Sequence, residues 1–240
     1  MMKRLQDKIA LVTGASRGIG YFTALALARE GAHVIALART VGGLEELDDA
    51  IGEAGGTATL VPLDITDYDA LDRLGASIDE RWGRLDIFIA NAGILGGLSP
   101  LGHFEPKTFE RVLAANLTAN WRLIRSLDPL LKASDAGRAL LVSSGAAQSC
   151  KSFWGAYSVS KAGLEALGKT WAAESANSNL KVNLVNPGAT ATAMRAQAMP
   201  GENPETLPHA REVAETFVAL VLAENTVNGG LFDHKNQSWV

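Results

Sequence analysis

The sequence predicts an α/β fold: a doubly wound, seven-stranded parallel sheet with helices on both faces, formed by residues 1–240 as a single domain. Three observations predict it. Short aliphatic or β-branched runs alternate with longer segments of helical period along the whole chain. Strands separated by helices and buried on both faces imply parallel pairing through right-handed crossovers. And 240 residues with 47% hydrophobic and 20% charged content are enough for one full core.

Taken in order, the strands fall at residues 9–12, 34–37, 59–61, 85–90, 139–142, 181–185 and 230–232. The helices between them fall at 18–30, 42–54, 67–82, 106–131, 157–176 and 209–223. Pro106 suits a first helical turn, where a missing N–H costs nothing, whereas Pro129 is expected to kink or end its helix. Residues 189–208, rich in Ala, Pro, Met and polar side chains, read as a loop, and a loop of that length is usually functional or mobile. No internal repeat, low-complexity segment or linker interrupts the pattern.

Composition removes several function classes. A net charge of −4 without any run of five basic residues argues against nucleic acid as a partner. With one cysteine, Cys150, no intrachain disulfide forms, and neither it nor His33, His103, His209 and His234 shows ligand spacing, so no metal is expected. The charged start, residues 1–8, leads into an apolar stretch of only residues 9–12, and the longest stretch elsewhere, 217–223, has core-helix length. The expectation is a soluble, cytoplasmic protein without a membrane segment.

The first strand runs into Thr13-Gly14-Ala15-Ser16-Arg17-Gly18-Ile19-Gly20. Its glycines can take positive φ, let backbone approach a pyrophosphate and pack the next helix tightly, as in a Rossmann-type dinucleotide site with the phosphates at the helix N-terminus. The spacing is GxxxGxG rather than GxGxxG, and ordinary tight strand-to-helix turns also use glycine. NAD-selective sites place a carboxylate after the second strand, but here the stretch reads Leu37-Ala38-Arg39-Thr40. Arg39 and Arg17 instead suit a 2′-phosphate, so NADP(H) is the expected cofactor, with NAD(H) as the alternative.

Tyr157 and Lys161, at i and i+4 on a predicted helix, share one face. A phenol of ordinary pKa ~10 is a poor base at neutral pH, and a neighbouring cation lowers that value toward the working range. Ser144 follows the fifth strand and can hydrogen-bond a reacting carbonyl; Ser143 is its rival. Asn91-Ala92-Gly93 ends the fourth strand in a small, turn-forming sequence that lets the chain pass close to a cofactor.

These pieces, in this order and spacing, resemble the short-chain dehydrogenase/reductase family over nearly the whole chain, and in general form its NADPH-dependent 3-oxoacyl reductases. The matching positions are the glycine motif from Thr13 to Gly20, Asp64, Asn91-Ala92-Gly93, Asn116, Ser144, Tyr157 with Lys161, and Pro187-Gly188. The resemblance implies Tyr157 as catalytic acid/base, Ser144 as partner of the substrate oxygen, Lys161 as ribose ligand and pKa modifier, and Asn116 as anchor of a proton-relay water. It implies a cofactor site of Gly14, Ser16, Arg17, Gly18, Ile19, Gly20, Arg39, Asp64, Asn91, Ala92, Gly93, Tyr157, Lys161, Pro187, Gly188, Thr190 and Thr192. Within that set Asp64 would meet the adenine and Thr192 the nicotinamide carboxamide.

By the same likeness the sheet order is 3-2-1-4-5-6-7, with a cofactor half over about residues 1–145 and a catalytic half over about 146–240. Ala90 stands where many relatives carry a second Asn, and Thr190 where an aliphatic residue is commoner. A homodimer or homotetramer is implied, with Trp121, Leu123, Leu167 and Trp171 as candidates for either its apolar face or the core. The implied reaction moves a hydride between nicotinamide and a small-molecule carbonyl or alcohol. An NADP(H)-binding sensor or scaffold and an NAD(P)-dependent epimerase are the alternatives. Substrate choice would lie in residues 95–104, 145–155 and 189–208, where Phe153 and Trp154 suggest an apolar wall and Met194 and Met199 an adaptable lid.

Overall fold

The computed structural model describes residues 3–240; Met1 and Met2, part of the charged start, lie outside the described residues. The chain alternates as read from its pattern. β1 (Ile9–Thr13), α1 (Gly18–Arg29), β2 (His33–Ala38), α2 (Val41–Glu53), β3 (Thr57–Pro62), α3 (Tyr68–Trp82) and β4 (Ile87–Ala90) come first. Then follow α4 (Pro106–Leu113), a π-helical turn (Ala114–Thr118), α5 (Ala119–Lys132), β5 (Arg138–Val142), α6 (Ala146–Ser149) and α7 (Gly155–Glu174). β6 (Lys181–Asn186), α8 (Ala193–Ala198), α9 (Ala210–Leu220), β7 (Leu231–Asp233) and β8 (Ser238–Trp239) complete it.

The sheet order is β3-β2-β1-β4-β5-β6-β7-β8. β1 lies between β2 and β4 in parallel register, Leu11 opposite Ile35 on one side and Phe88 on the other. Because side chains alternate across a strand, each strand serves two cores. Ala10, Val12, Val34, Ala36, Ile87, Ile89, Leu140 and Val142 face α1, α2 and α9. Leu11, Ile35, Leu37, Phe88, Ala139 and Leu141 face α3, α5 and α7. Both faces are covered, which is why the strands read as continuous apolar runs rather than as alternation.

Four features depart from the sequence expectations. The sheet has eight strands rather than seven: after β7 the chain turns through Gln237 at φ +50° and lays Ser238 and Trp239 antiparallel on the edge. Trp239 holds this hairpin by stacking edge-on against Phe232 at 5.2 Å; two residues are too few for a periodic signal. The helix expected over residues 106–131 is interrupted by the π turn, a widening that hydrophobic spacing does not register. Pro129 neither ends nor starts a new element: it sits near the end of α5, which runs on to Lys132. The expected loop over 189–208 contains α8, capped by the Thr192 side chain accepting from the Arg195 N–H at 3.2 Å.

Candidate active site

The glycine turn is shaped by close packing. Gly14 and Gly18 take φ of +68° and +58°, in the left-handed region that disfavours other residues. A Cβ on Gly20 would collide with the Gly14 carbonyl and the Asn91 amide, and one on Gly14 would stand 2.9 Å from Asn91 Nδ2. Asn91 and Ala92 both donate their N–H to Thr13 Oγ1 at 3.0 Å, and Asn91 Nδ2 donates to the Thr13 carbonyl at 3.0 Å. The strand end at Asn91-Ala92-Gly93 is thereby clamped to the turn. α1 starts at Gly18, so its free N–H groups open onto this surface, with Arg17 exposed in extended conformation just ahead and Ile19 tucked against the core. A Cβ on Gly18 would lie 3.5 Å from Thr192, which brings the far loop to the same place. Bare backbone, a helix N-terminus and no side chain in the way are what a dinucleotide pyrophosphate requires.

Arg39, beyond β2, reaches Asp64, beyond β3: Nη1 donates to the carboxylate at 3.4 Å, and both side chains are well exposed. Thr66 adds two hydrogen bonds to Asp64, from its N–H at 2.9 Å and its hydroxyl at 2.7 Å. Burial pushes the Asp64 carboxyl up, but the Thr66 bonds and the Arg39 cation outweigh it and hold the group below its usual value.

α7 carries Tyr157 and Lys161, both buried, at the carboxyl ends of β4 and β5. Burial pushes the Tyr157 phenol up, with the neighbouring Ser144 hydroxyl pulling the other way. This differs from the sequence expectation, in which the Lys161 cation lowers it. Lys161 Nζ donates to the Val142 carbonyl at 2.7 Å and lies 5.7 Å from the phenol ring centroid, so desolvation dominates. Burial pushes Lys161 itself down to about 8, opposed by the carboxylate of Glu165 one turn further along α7.

The two serines separate by geometry. Ser143 is buried and donates to Glu165 at 2.5 Å; Ser144 faces Tyr157 and accepts the Ala146 N–H at 3.2 Å. Asn116 sits in the π turn, its amide donating to the Ile94 carbonyl (2.9 Å) and Ser160 (3.0 Å) while its Oδ1 accepts from the Ile94 N–H (2.8 Å). Its main-chain carbonyl accepts from Asn120 Nδ2 at 2.8 Å. Gly93 lies between: a Cβ there would be 3.2 Å from Asn116 Oδ1 and 3.7 Å from Lys161 Nζ.

Around the phenol stands a small apolar cluster of Leu95, Ala146, Ala198, Trp154 and Met194. Leu98, Leu101, Phe153 and Met199 are large apolar side chains exposed nearby along the same segments. Gly188 takes φ +71° after Pro187, buried Thr190 donates to the Pro187 carbonyl at 3.3 Å, and Thr192 donates to the Thr190 carbonyl at 3.3 Å. Leu123 and Trp171 belong to the core, Leu167 is half-buried against it, and Trp121 is exposed.

Three residues that the sequence reading passed over are built into the site. Asn186, ending β6, accepts the N–H groups of Gly145 (3.0 Å) and Gly188 (3.1 Å), tying the segment after Ser144 to the Pro-Gly turn. Its only sequence signal is its place before Pro187. Glu165 and Asn120 follow Lys161 and Asn116 at i+4 on the same helix faces, a spacing that could have singled them out. Among the described residues no group of three or more His, Cys, Asp or Glu side chains is placed so that it could hold a metal ion, and no helix is long and apolar enough to cross a membrane.

The chain matches the family model for short chain dehydrogenases over residues 8–203 and belongs to that family, whose members are nicotinamide-dependent oxidoreductases acting between alcohol and carbonyl carbon. It is 36% identical over 220 residues to YciK, an uncharacterized oxidoreductase of Escherichia coli strain K12, covering 90% of this chain and 87% of the relative. It is 37% identical over 204 residues to an uncharacterized NAD-dependent oxidoreductase of Mycobacterium tuberculosis, covering 79% and 74%. Among solved structures, a short chain dehydrogenase from Shigella flexneri complexed with NADP superposes at a TM-score of 0.94 and 35% identity, covering 98% of this chain and 100% of that one.

Proposed function

We propose that this chain is an NADP(H)-dependent oxidoreductase that interconverts a carbonyl and a secondary alcohol, with Tyr157 as the acid/base. The observation that carries the reading is the meeting of Tyr157, Ser144 and Lys161 at the carboxyl ends of β4 and β5, beside the clamp of Asn91-Ala92-Gly93 on the glycine turn. The turn from Gly14 to Gly20 would hold the pyrophosphate, Asp64 the adenine, and Pro187, Gly188, Thr190 and Thr192 the nicotinamide end. When bound, the nicotinamide supplies or takes the hydride.

This chain's own residues position the substrate and move the proton. Ser144 donates a hydrogen bond to the substrate oxygen, polarising the carbonyl. Tyr157 gives its proton to that oxygen on reduction and, as the phenolate, takes one back on oxidation. Lys161 holds positive charge beneath the phenol, and Asn116 fixes the strand-end loop at Ile94 and the helix face at Ser160.

NADP(H) is favoured over NAD(H) because β2 is followed by Arg39, with Arg17 on the adjoining turn and no carboxylate after β2. The Shigella relative's NADP agrees with this; the mycobacterial relative's name points to NAD. The apolar rim of Leu98, Leu101, Phe153 and Met199 favours an apolar carbonyl substrate. Trp121 on α5 and Val159 on α7, both exposed, supply an apolar face for a homodimer or homotetramer. The test is fluorescence titration with NADPH and NADH, then an absorbance screen of ketones, aldehydes and oxoacyl thioesters with wild type and Tyr157→Phe. Tight NADPH binding with turnover that Tyr157→Phe removes supports the reading; near-normal turnover by Tyr157→Phe overturns it.

A further inference from the structure

We propose that Glu165 is a positioning residue of the active site, a buried carboxylate that fixes Ser143 and Gln148 on either side of Ser144 and holds charge opposite Lys161. The proposal rests on the reading of Ser144, Tyr157 and Lys161 given above. Tyr157, Lys161 and Glu165 succeed one another at i, i+4 and i+8 along α7, and all three are buried. Glu165 Oε1 accepts two short hydrogen bonds, from Ser143 Oγ at 2.5 Å and from Gln148 Nε2 at 2.6 Å. Ser143 directly follows β5, and Gln148 belongs to α6, the first turn of the segment that borders the substrate.

Two consequences follow. Ser143, the chemically equivalent neighbour, is tied down by Glu165, so only the Ser144 hydroxyl faces the phenol. And α6, a single turn, is held from below by a charged acceptor, which makes a stronger hydrogen bond than a neutral one. A buried carboxylate is costly unless it is paired or hydrogen-bonded, and here Ser143 and Gln148 supply the hydrogen bonds.

The charges around this pair are few. From α7 itself come Tyr157, Lys161 and Glu165. β5 and α6 face them with Ser143, Ser144 and Gln148, and the π turn with Asn116, all neutral; Cys150 and Lys151 beyond α6 are exposed. Lys107, Glu110 and Arg111 on α4 are exposed, while Arg138 and Lys181 stand at the opposite ends of β5 and β6. Glu165 is the negative charge that acts on Lys161.

The test is Glu165→Gln, which keeps an acceptor oxygen but removes the charge, with Gln148→Ala as an exposed-side variant that does not endanger folding. The pKa of Lys161 is read by NMR of 13C-labelled lysine, assigned with Lys161→Arg, and kcat is read by NADPH oxidation with a carbonyl that the wild type reduces. In Glu165→Gln the Lys161 titration is expected to move down by about one pH unit, since a unit charge a helical turn away acts on that scale. The alkaline limb of kcat should move with it, and kcat at neutral pH should fall about tenfold, as misplacement of catalytic groups does. NADPH affinity should stay within about twofold. Gln148→Ala should lower kcat without moving Lys161. A Lys161 titration that does not move in Glu165→Gln, or wild-type kcat across pH in both variants, overturns the proposal. Tyr157→Phe in the same assay keeps the two readings apart: normal turnover there removes the acid/base assignment, while the Lys161 titration still decides the place of Glu165.

Discussion

Replacing Arg39 by alanine is expected to abolish most of a preference for NADPH over NADH. The Arg39 guanidinium stands 3.4 Å from the Asp64 carboxylate, with the two side chains 64% and 44% exposed. An ion pair that open to water contributes about 0–1 kcal/mol, so turning Arg39 toward a 2′-phosphate sacrifices no more than that. A charge-assisted hydrogen bond to the phosphate returns ~1.5–3 kcal/mol. The difference, ~0.5–3 kcal/mol, corresponds to about a 2–160-fold tighter Kd for NADPH. Fluorescence titrations of both cofactors at one fixed ionic strength measure it, because the interaction is screened by salt. Arg39→Ala should bring the two Kd values together by weakening NADPH alone. An unchanged ratio in that variant, or a wild type that binds NADH more tightly, would refute the argument. A wild-type ratio well above the range would mean that Arg17 shares the phosphate, and Arg17→Ala would then lower it as well.

Tyr157→Phe should reduce kcat by ~10²–10⁴-fold, the usual share of general acid/base catalysis, with NADPH affinity by titration nearly unchanged. Gly20→Ala puts a methyl against the Gly14 carbonyl and the Asn91 amide; overpacking of this kind costs about 1–3 kcal/mol, so calorimetry should show a lowered Tm and titration a weakened cofactor. Asp86 gives stability a defined pH dependence. Burial pushes its carboxyl up, but hydrogen bonds from Ser134 Oγ (2.6 Å) and the Ile9 N–H (2.9 Å), with Lys8 and Arg84 nearby, hold it below the usual value. A group depressed on folding stabilises above its unfolded pKa of ~3.9 and loses that contribution as pH falls through the folded value. Tm should therefore fall below about pH 4 in the wild type and much less steeply in Asp86→Asn, which starts lower at neutral pH.

What could be read from the chain alone, and what could not, follows from how far each signal reaches. The parallel strands were legible because both faces are buried, so runs such as Val34, Ile35, Ala36 and Leu37 are apolar throughout. β8 was not, because its stability lies in Trp239 meeting Phe232 rather than in any pattern of its own. α8 was hidden among prolines and polar residues; it is anchored by Thr192 and by the Arg195–Glu202 ion pair, with Arg195 Nη2 2.6 Å from Glu202. The motif residues at Gly14, Gly18, Asn91, Tyr157 and Lys161 were legible by type and spacing. The resemblance picks Ser144 over Ser143 by position, but the contact that physically separates them was not legible, since Glu165, which ties down Ser143, lies on another element. The raised phenol of Tyr157 was likewise invisible, because spacing reports the nearby lysine but not the depth of burial or the Val142 carbonyl that engages it.

The short hairpin of β7 and β8 also bears on how the sheet ends. A parallel sheet that stopped at β7 would offer a row of unpaired N–H and C=O groups to any passing strand. Instead Phe232 pairs with Trp239 and Asp233 with Ser238, and the new margin is only two residues long and runs the opposite way. A strand from a second copy finds almost no ladder to extend there. Growth of the sheet by strand addition is thus opposed at this margin by a few residues of sequence, through side chains that stack and a ladder too short to extend.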